Sequence, residues 1–292
     1  MKRLAVTGDD FGFSTGVNRA IVEAHERGIL THASLMVTGD AAREAVALAR
    51  SRPSLGIGLH LTLVCGKPAL APRKVPHLVE TDGSFPDSPV RAGLRYAFSP
   101  AARRDLRREI RAQLERFQET GLPLSHVDGH LHLHMHPYVL RILGALAQEF
   151  QIPSIRMPRE ELQLTRTFDR RSVAARAAWS WIFARLRRHG EGILQRAGVE
   201  YADRVYGLLM TGRVTEDYLL HLLPRISAPS SEIYCHPAHE LAGAPRNGPP
   251  GAGPAELAAL VSPRVRTAVA AEGFLLAPDL AQCETTGAPP TP

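Results

Sequence analysis

The sequence has only three cysteines, Cys65, Cys235 and Cys283, and no CxxC spacing among them. That argues against a disulfide framework or a thiolate zinc cage, and the thiols read as buried or incidental. No stretch approaches the roughly 18 uninterrupted apolar residues of a membrane span. In MKRLAVTGDD the apolar run is too short for a secretion signal, and acidic residues follow at once. A cytoplasmic location is therefore expected. There is no GxGxxG turn after the first strand pattern, which weakens a dinucleotide-binding reading. Aromatic residues make up 6% of the chain and do not interleave with basic ones on a strand, so a net charge of +6 does not signal nucleic acid.

What the chain does contain is ordinary globular material: 292 residues, 44% hydrophobic and 22% charged, enough for one large domain. Short β-branched runs alternate with helical patterns, which predicts βα units on a parallel sheet. Strands are expected at 3–7, 33–37, 55–61, 124–130, 153–157, 205–209, 232–236 and 274–276. Helices are expected at 17–27, from an Asp40 cap to before Pro53, from Ser99-Pro100 to Gly121, from Pro137, at 216–223 and at 263–272. In the fourth strand's preceding helix, Leu106, Ile110, Leu114 and Phe117 share one face. The fold class is α/β, a single-domain TIM-like (β/α) barrel in complete or incomplete form over residues 1–280; a doubly wound open sheet is the competing architecture. Residues 62–98 read as a Pro- and Gly-rich insertion, 165–200 as a variable helical segment, 243–254 as an irregular loop and 281–292 as a disordered tail.

Functional groups in parallel α/β folds gather at the C-terminal ends of strands. Here four strand ends carry Asp or His: Asp9-Asp10, His60 in GIGLH, His130 in SHVDGH and His236 in EIYCHP. A single strand-end His is usually a hydrogen-bonded structural residue, and paired Asp residues are often turn formers. Convergence of all four on one end instead points to a metal site. Asp with two His leaves coordination positions open, as catalysis needs, and an ion so held polarises an acyl oxygen and acidifies a water. Asp10 is the better ligand and Asp9 the base. His236 is placed to protonate a departing nitrogen. Arg156, at another strand end, is a candidate for holding Asp9 ionised or for touching substrate.

His126, Asp128, His130, His132 and His134 share one parity, so an extended chain would set them on one face. Residues two apart on a strand are about 6.6 Å apart, too far for one ion to take many of them. His130 is assigned as ligand, and His126, Asp128, His132 and His134 as an outer layer or cleft lining. An HxxxH pair of His126 and His130 remains the rival choice.

The pieces VTGDDFGFSTGVNRAI, GIGLHLTL, SHVDGHLHLHMHP and EIYCHP, in this order over most of the chain, resemble the YdjC-like (ChbG-type) carbohydrate deacetylase family. The resemblance implies a TIM-like barrel and divalent-metal-dependent hydrolysis of acetamido sugars. It places the metal ligands on Asp10, His60 and His130, and the acid–base pair on Asp9 and His236. It implies one divalent ion, magnesium, although Asp and His donors also suit zinc, manganese or cobalt. Gly8 departs from the family's more frequent Ala. GILTHASLMVTGDAAREAVALAR and GLHLTLVCGKPAL further resemble the hopanoid-biosynthesis-associated branch, which implies an N-acetylglucosaminyl group on a hopanoid lipid. In that light RRSVAARAAWSWIFARLRRHG draws notice. Trp179, Ile182, Phe183 and Leu186 follow helical spacing among Arg176, Arg185, Arg187 and Arg188, a pattern for peripheral membrane contact over 171–190 or for packing on the barrel. The rival functions are a soluble chito-oligosaccharide deacetylase, a metal-dependent phosphoesterase and a non-catalytic metal-binding protein.

Overall fold

A computed structural model describes residues 2–276; the expected tail at 281–292 and Cys283 lie outside the described residues. Seven strands and ten helices alternate along the described chain: β1 Lys2–Phe11, α1 Thr15–Arg27, β2 His32–Leu35, α2 Ala42–Arg50, β3 Gly56–Leu61, α3 Pro89–Phe98, α4 Pro100–Glu119, β4 Leu124–Gly129, α5 Pro137–Leu146, α6 Leu162–Phe168, α7 Val173–Ala197, β5 Arg204–Tyr206, α8 Glu216–Leu222, β6 Ser230–Cys235, α9 Ala252–Val261, α10 Pro263–Ala271 and β7 Phe274–Leu276. The strands run in the order β4-β3-β2-β1-β6-β5, with β7 beside the start of β1. Every pairing is parallel. The result is a curled, incomplete TIM-like barrel in one α/β domain.

The gap lies between β4 and β5. The strand expected at 153–157 does not form; that segment makes only isolated bridges, Val127 with Ile155 and Ser154 with Glu200. Pro153 and Pro158 bracket it, and each removes a backbone donor that a continuous ladder would need. The expected cap at Asp40 is also corrected. The helix starts at Ala42 behind Ala41, with no side-chain cap, and Asp40 is exposed and pairs with Lys67 at 3.0 Å. The last residues of the loop expected at 243–254 already belong to α9.

Helix α4 follows its pattern. Ser99 caps it by accepting from the Ala102 amide, and Leu106, Ile110, Leu114 and Phe117 are all buried, each worth roughly 1.5–3 kcal/mol of burial. The strands carry a less usual alternation. Their apolar residues, such as Val6, Leu59, Val127 and Ile233, join the core shared with the helices. Their polar residues turn into the barrel: Thr7, His32, His126 and Glu232 line an enclosed interior space with Arg156. Small residues make room for them, since a Cβ on Gly58 would lie 2.3 Å from the His126 ring.

Helix α7 packs Phe183 and Leu194 inward while Trp179, Trp181 and Ile182 stay 50%, 64% and 38% exposed. Two of the arginines set around this stripe are themselves buried. Arg176 is buried on Asp169 at 2.9 Å, and Arg187 is buried donating to the carbonyls of Met157 and Ala202. Within 62–98, helix α3 leaves Val90, Leu94 and Phe98 exposed along one stripe and anchors itself through Tyr96, whose hydroxyl donates to the Leu63 carbonyl at 2.7 Å.

Candidate metal centre at the strand ends

Two adjacent residues on a regular strand point to opposite faces, so Asp9 and Asp10 could not both serve one site. The chain solves this locally. The β1–β2 register shifts between Gly8 and Phe11, and Asp10 has φ of +64°, a left-handed conformation that Asp tolerates better than most residues. The turn is held by the Phe13 amide donating to the Asp10 carbonyl at 2.9 Å and the Gly12 amide donating to Asn18 Oδ1 at 2.7 Å. Both carboxylates thereby reach the same cleft.

Asp10, His60 and His130 converge. Their donor atoms lie within 4.8 Å of one another, with His60 Nε2 3.2 Å and His130 Nδ1 2.9 Å from Asp10 Oδ1. Ligands held about 2.1 Å from an ion sit about 3.0–3.4 Å apart, so both separations fit a divalent cation. The outer contacts fit as well. His60 Nδ1 lies 2.8 Å from Asp128 Oδ1, which directs Nε2 inward as a carboxylate–histidine–metal arrangement does. Burial works against charge on His60, yet Asp128 and Asp10 outweigh it and push its pKa up to about 10. Burial likewise opposes the Asp10 carboxylate, and His130 and His60 overcome it, holding Asp10 well below the usual range. Without an ion, the two carboxylates thus favour the protonated form of His60.

Beside this trio, Arg156 is fully buried and grips Asp9 with both amino groups, Nη1 to Oδ2 at 2.7 Å and Nη2 to Oδ1 at 2.8 Å. The same guanidinium reaches Asp128 at 2.8 Å and Glu232 at 2.8 Å and lies 4.7 Å from the centre of the Tyr234 ring. Three carboxylates around one cation raise the Arg156 pKa further despite its burial. His236 faces Asp9 from just past the end of β6, with Nε2 3.9 Å from Oδ2, and its amide donates to Glu256 of α9 at 2.6 Å. That gap exceeds a direct hydrogen bond.

The histidine row divides. β4 ends at Gly129, and Leu131 and His132 take positive φ, which breaks the extended face on which the parity argument rested. His130 turns to Asp10. His132 Nε2 instead meets the Tyr234 hydroxyl at 2.8 Å, and His134 Nε2 lies 2.9 Å from the Arg156 carbonyl. His126 stays inside the barrel, its ring nitrogens 3.0 Å from Ser34 Oγ and 2.9 Å from Ser125 Oγ. The rival His126–His130 pair is therefore not brought together. Burial holds the His126 and His134 pKa values down to about 4, leaving both rings neutral near pH 7.

Sequence reading passed over Ser34, whose hydroxyl lies 2.7 Å from Asp128, 3.0 Å from His126 and 3.4 Å from Asp9. It lies one residue before the end of β2, but the strand expected at 33–37 put it near the start, where the strand-end rule does not look. Glu232 and Tyr234 share the inward parity of β6. Asn247, which donates to Asp10 Oδ2 at 3.2 Å, sits in an irregular loop and carries no such signal.

The chain matches the description "YdjC-like protein" over residues 3–271. It is 45% identical to a carbohydrate deacetylase of Brevibacillus brevis over 156 residues, 53% of this chain and 59% of that protein. The chain thus spans less than two thirds of that relative. It is 31% identical to a chitooligosaccharide deacetylase of Serratia marcescens over 276 residues, 94% of this chain and 97% of that one. Among solved structures, a proposed cellobiose-phosphate cleavage protein of Enterococcus faecalis V583 is similar at 26% identity and a TM-score of 0.73, over 94% of this chain and 97% of that chain.

Proposed function

The chain belongs to the YdjC-like protein family, and from that premise we propose that it is a metal-dependent hydrolase that removes the N-acetyl group of an N-acetylglucosamine-type sugar. The observation that carries the reading is the meeting of Asp10, His60 and His130 beside the Asp9–Arg156 pair, with His236 across from Asp9. One divalent ion, magnesium by family likeness or zinc, manganese or cobalt by donor type, would be held by Asp10, His60 and His130, and would supply Lewis acidity toward the acetyl oxygen and a water. Asp9, its charge stabilised by the Arg156 fork, takes the proton of the attacking water. His236 delivers a proton to the departing nitrogen from the other side. Asp128 orients His60 while sharing Arg156, and Ser34 ties Asp9 and Asp128 to His126.

The finer substrate in this reading is an amino sugar on a hopanoid glycolipid. Two features support a lipid-linked sugar over a soluble chito-oligosaccharide: the sequence likeness to the hopanoid-associated branch, and the exposed apolar residues flanking the His130 segment. Leu131 is 50% exposed beside that ligand, Phe183 of α7 packs against His132, and Tyr96 of α3 packs against His136. Helices α3 and α7, which carry the exposed stripes, therefore both pack against the segment that follows His130. A phosphoesterase reading is less well supported, because the cation nearest the ligands, Arg156, is already saturated by Asp9, Asp128 and Glu232.

The test is acetate release by the purified protein from N-acetylglucosaminyl lipids and from N-acetylated chito-oligosaccharides, with p-nitrophenyl phosphate as a phosphoester control, with and without chelator, read by mass spectrometry. Metal-dependent release, faster on the lipid, is expected. Hydrolysis of the phosphoester control without acetate release from either sugar, or no turnover of any acetylated sugar, overturns the reading.

A further inference from the structure

Asp10 has two oxygens with different tasks. Oδ1 faces both imidazoles, His60 at 3.2 Å and His130 at 2.9 Å. Oδ2 receives Asn247, whose Nδ2 lies 3.2 Å away. The direction of that amide follows from chemistry, since an ionised carboxylate only accepts and the NH2 group alone can donate. Asp10 is fully buried, and its positive φ departs from the strand that precedes it. The backbone alone therefore leaves the rotation of the carboxylate undetermined.

Asn247 lies 237 residues away in sequence, in a loop whose neighbouring positions are mostly exposed, and it is the residue there that turns inward. The stem of the loop is fixed against the start of α1 and α9. The His239 amide donates to the Gly16 carbonyl at 3.1 Å, the Ala238 amide to the Gly253 carbonyl at 3.2 Å, and the Gly251 amide to Glu240 at 2.6 Å. At Gly16 a Cβ would sit 2.2 Å from the His239 carbonyl oxygen, so this close approach depends on glycine. A clamped stem carrying one inward amide is suited to aim a neighbouring group.

We propose that Asn247 is a positioning residue of the metal centre, which pins Asp10 Oδ2 so that Oδ1 alone is presented to the ion between His60 and His130. The inference rests on the metal reading above. Groups that orient a ligand from outside typically change metal affinity 10- to 100-fold when removed. Zinc alone serves as the probe, its dissociation constant measured by competition with a chelator of known affinity, for wild type, Asn247→Ala and Asn247→Leu. Leu keeps the bulk of Asn without the donor. Both variants are expected to bind zinc about tenfold or more weakly, while the melting temperature of the metal-free protein stays at the wild-type value. Wild-type zinc affinity in Asn247→Ala overturns the proposal and leaves the metal centre standing. A fall in metal-free melting temperature with no change in zinc affinity overturns it too, by showing a purely structural role. A wild-type chain that binds no zinc, magnesium, manganese or cobalt sinks the metal centre and this proposal together.

Discussion

At the scale of single residues the site separates charges by geometry. Asp9 and Asp10 are neighbours in sequence, yet one meets a guanidinium and the other two imidazoles. Replacing Asp9 with Asn should therefore lower kcat by about 10²- to 10⁴-fold, the usual range for a lost general base, while zinc affinity changes little; equal loss of both would assign Asp9 to the ligand set instead. A second residue reports on stability. Glu160 is buried with one oxygen accepting from the Leu209 amide and the other without a partner, and burial raises its pKa from 4.5 to about 7. The folded chain then binds a proton that the unfolded chain has released, so stability falls as pH rises from about 4.5 to 7 and levels off above that. The full effect is on the order of 3 kcal/mol. Urea unfolding of Glu160→Gln across this window should remove that slope; an unchanged slope would mean that Glu160 ionises normally.

At the scale of elements, α4 and α7 show how far periodicity carries. The apolar stripe of α4 is buried as its spacing predicts. On α7 the same kind of spacing was ambiguous, because a packing stripe and an interfacial stripe have the same period. Folding divided it: Phe183 goes in, while Trp179 and Trp181 stay out. Arg176 and Arg187 went in as well, since carbonyls and a carboxylate at the ends of other elements could satisfy them. The double variant Trp179→Ser with Trp181→Ser should leave stability within about 0.5 kcal/mol, as exposed substitutions do. In the lipid-linked reading it should also weaken co-sedimentation with anionic liposomes several-fold. Equal co-sedimentation of both proteins, or none by wild type, would count against a membrane role for this face.

For the molecule as a whole, the incomplete barrel gathers residues from β1, β2, β4, β6 and the 153–157 segment around a polar interior. No described helix is long and apolar enough to cross a membrane. A cation that binds only the folded chain should stabilise it by about 2.7 kcal/mol at one hundred times its dissociation constant. Thermal melting with added zinc or magnesium checks this, and chelator should reverse it. A melting temperature indifferent to every divalent ion would contradict a resident metal.

The order of βα units, the polar strand ends and the candidates Asp10, His60 and His130 were legible in the sequence, because strand ends in parallel folds have a fixed sense and local patterns mark them. The sequence assigned His130 from the 126–134 row but kept a His126–His130 pair as its rival, and it gave no sign of Asn247. Those were decided by the left-handed turns at Asp10 and at Leu131–His132 and by a loop arriving from 237 residues away. Local periodicity assumes a regular backbone, and a turn out of the strand or a contact between distant segments leaves no period to read.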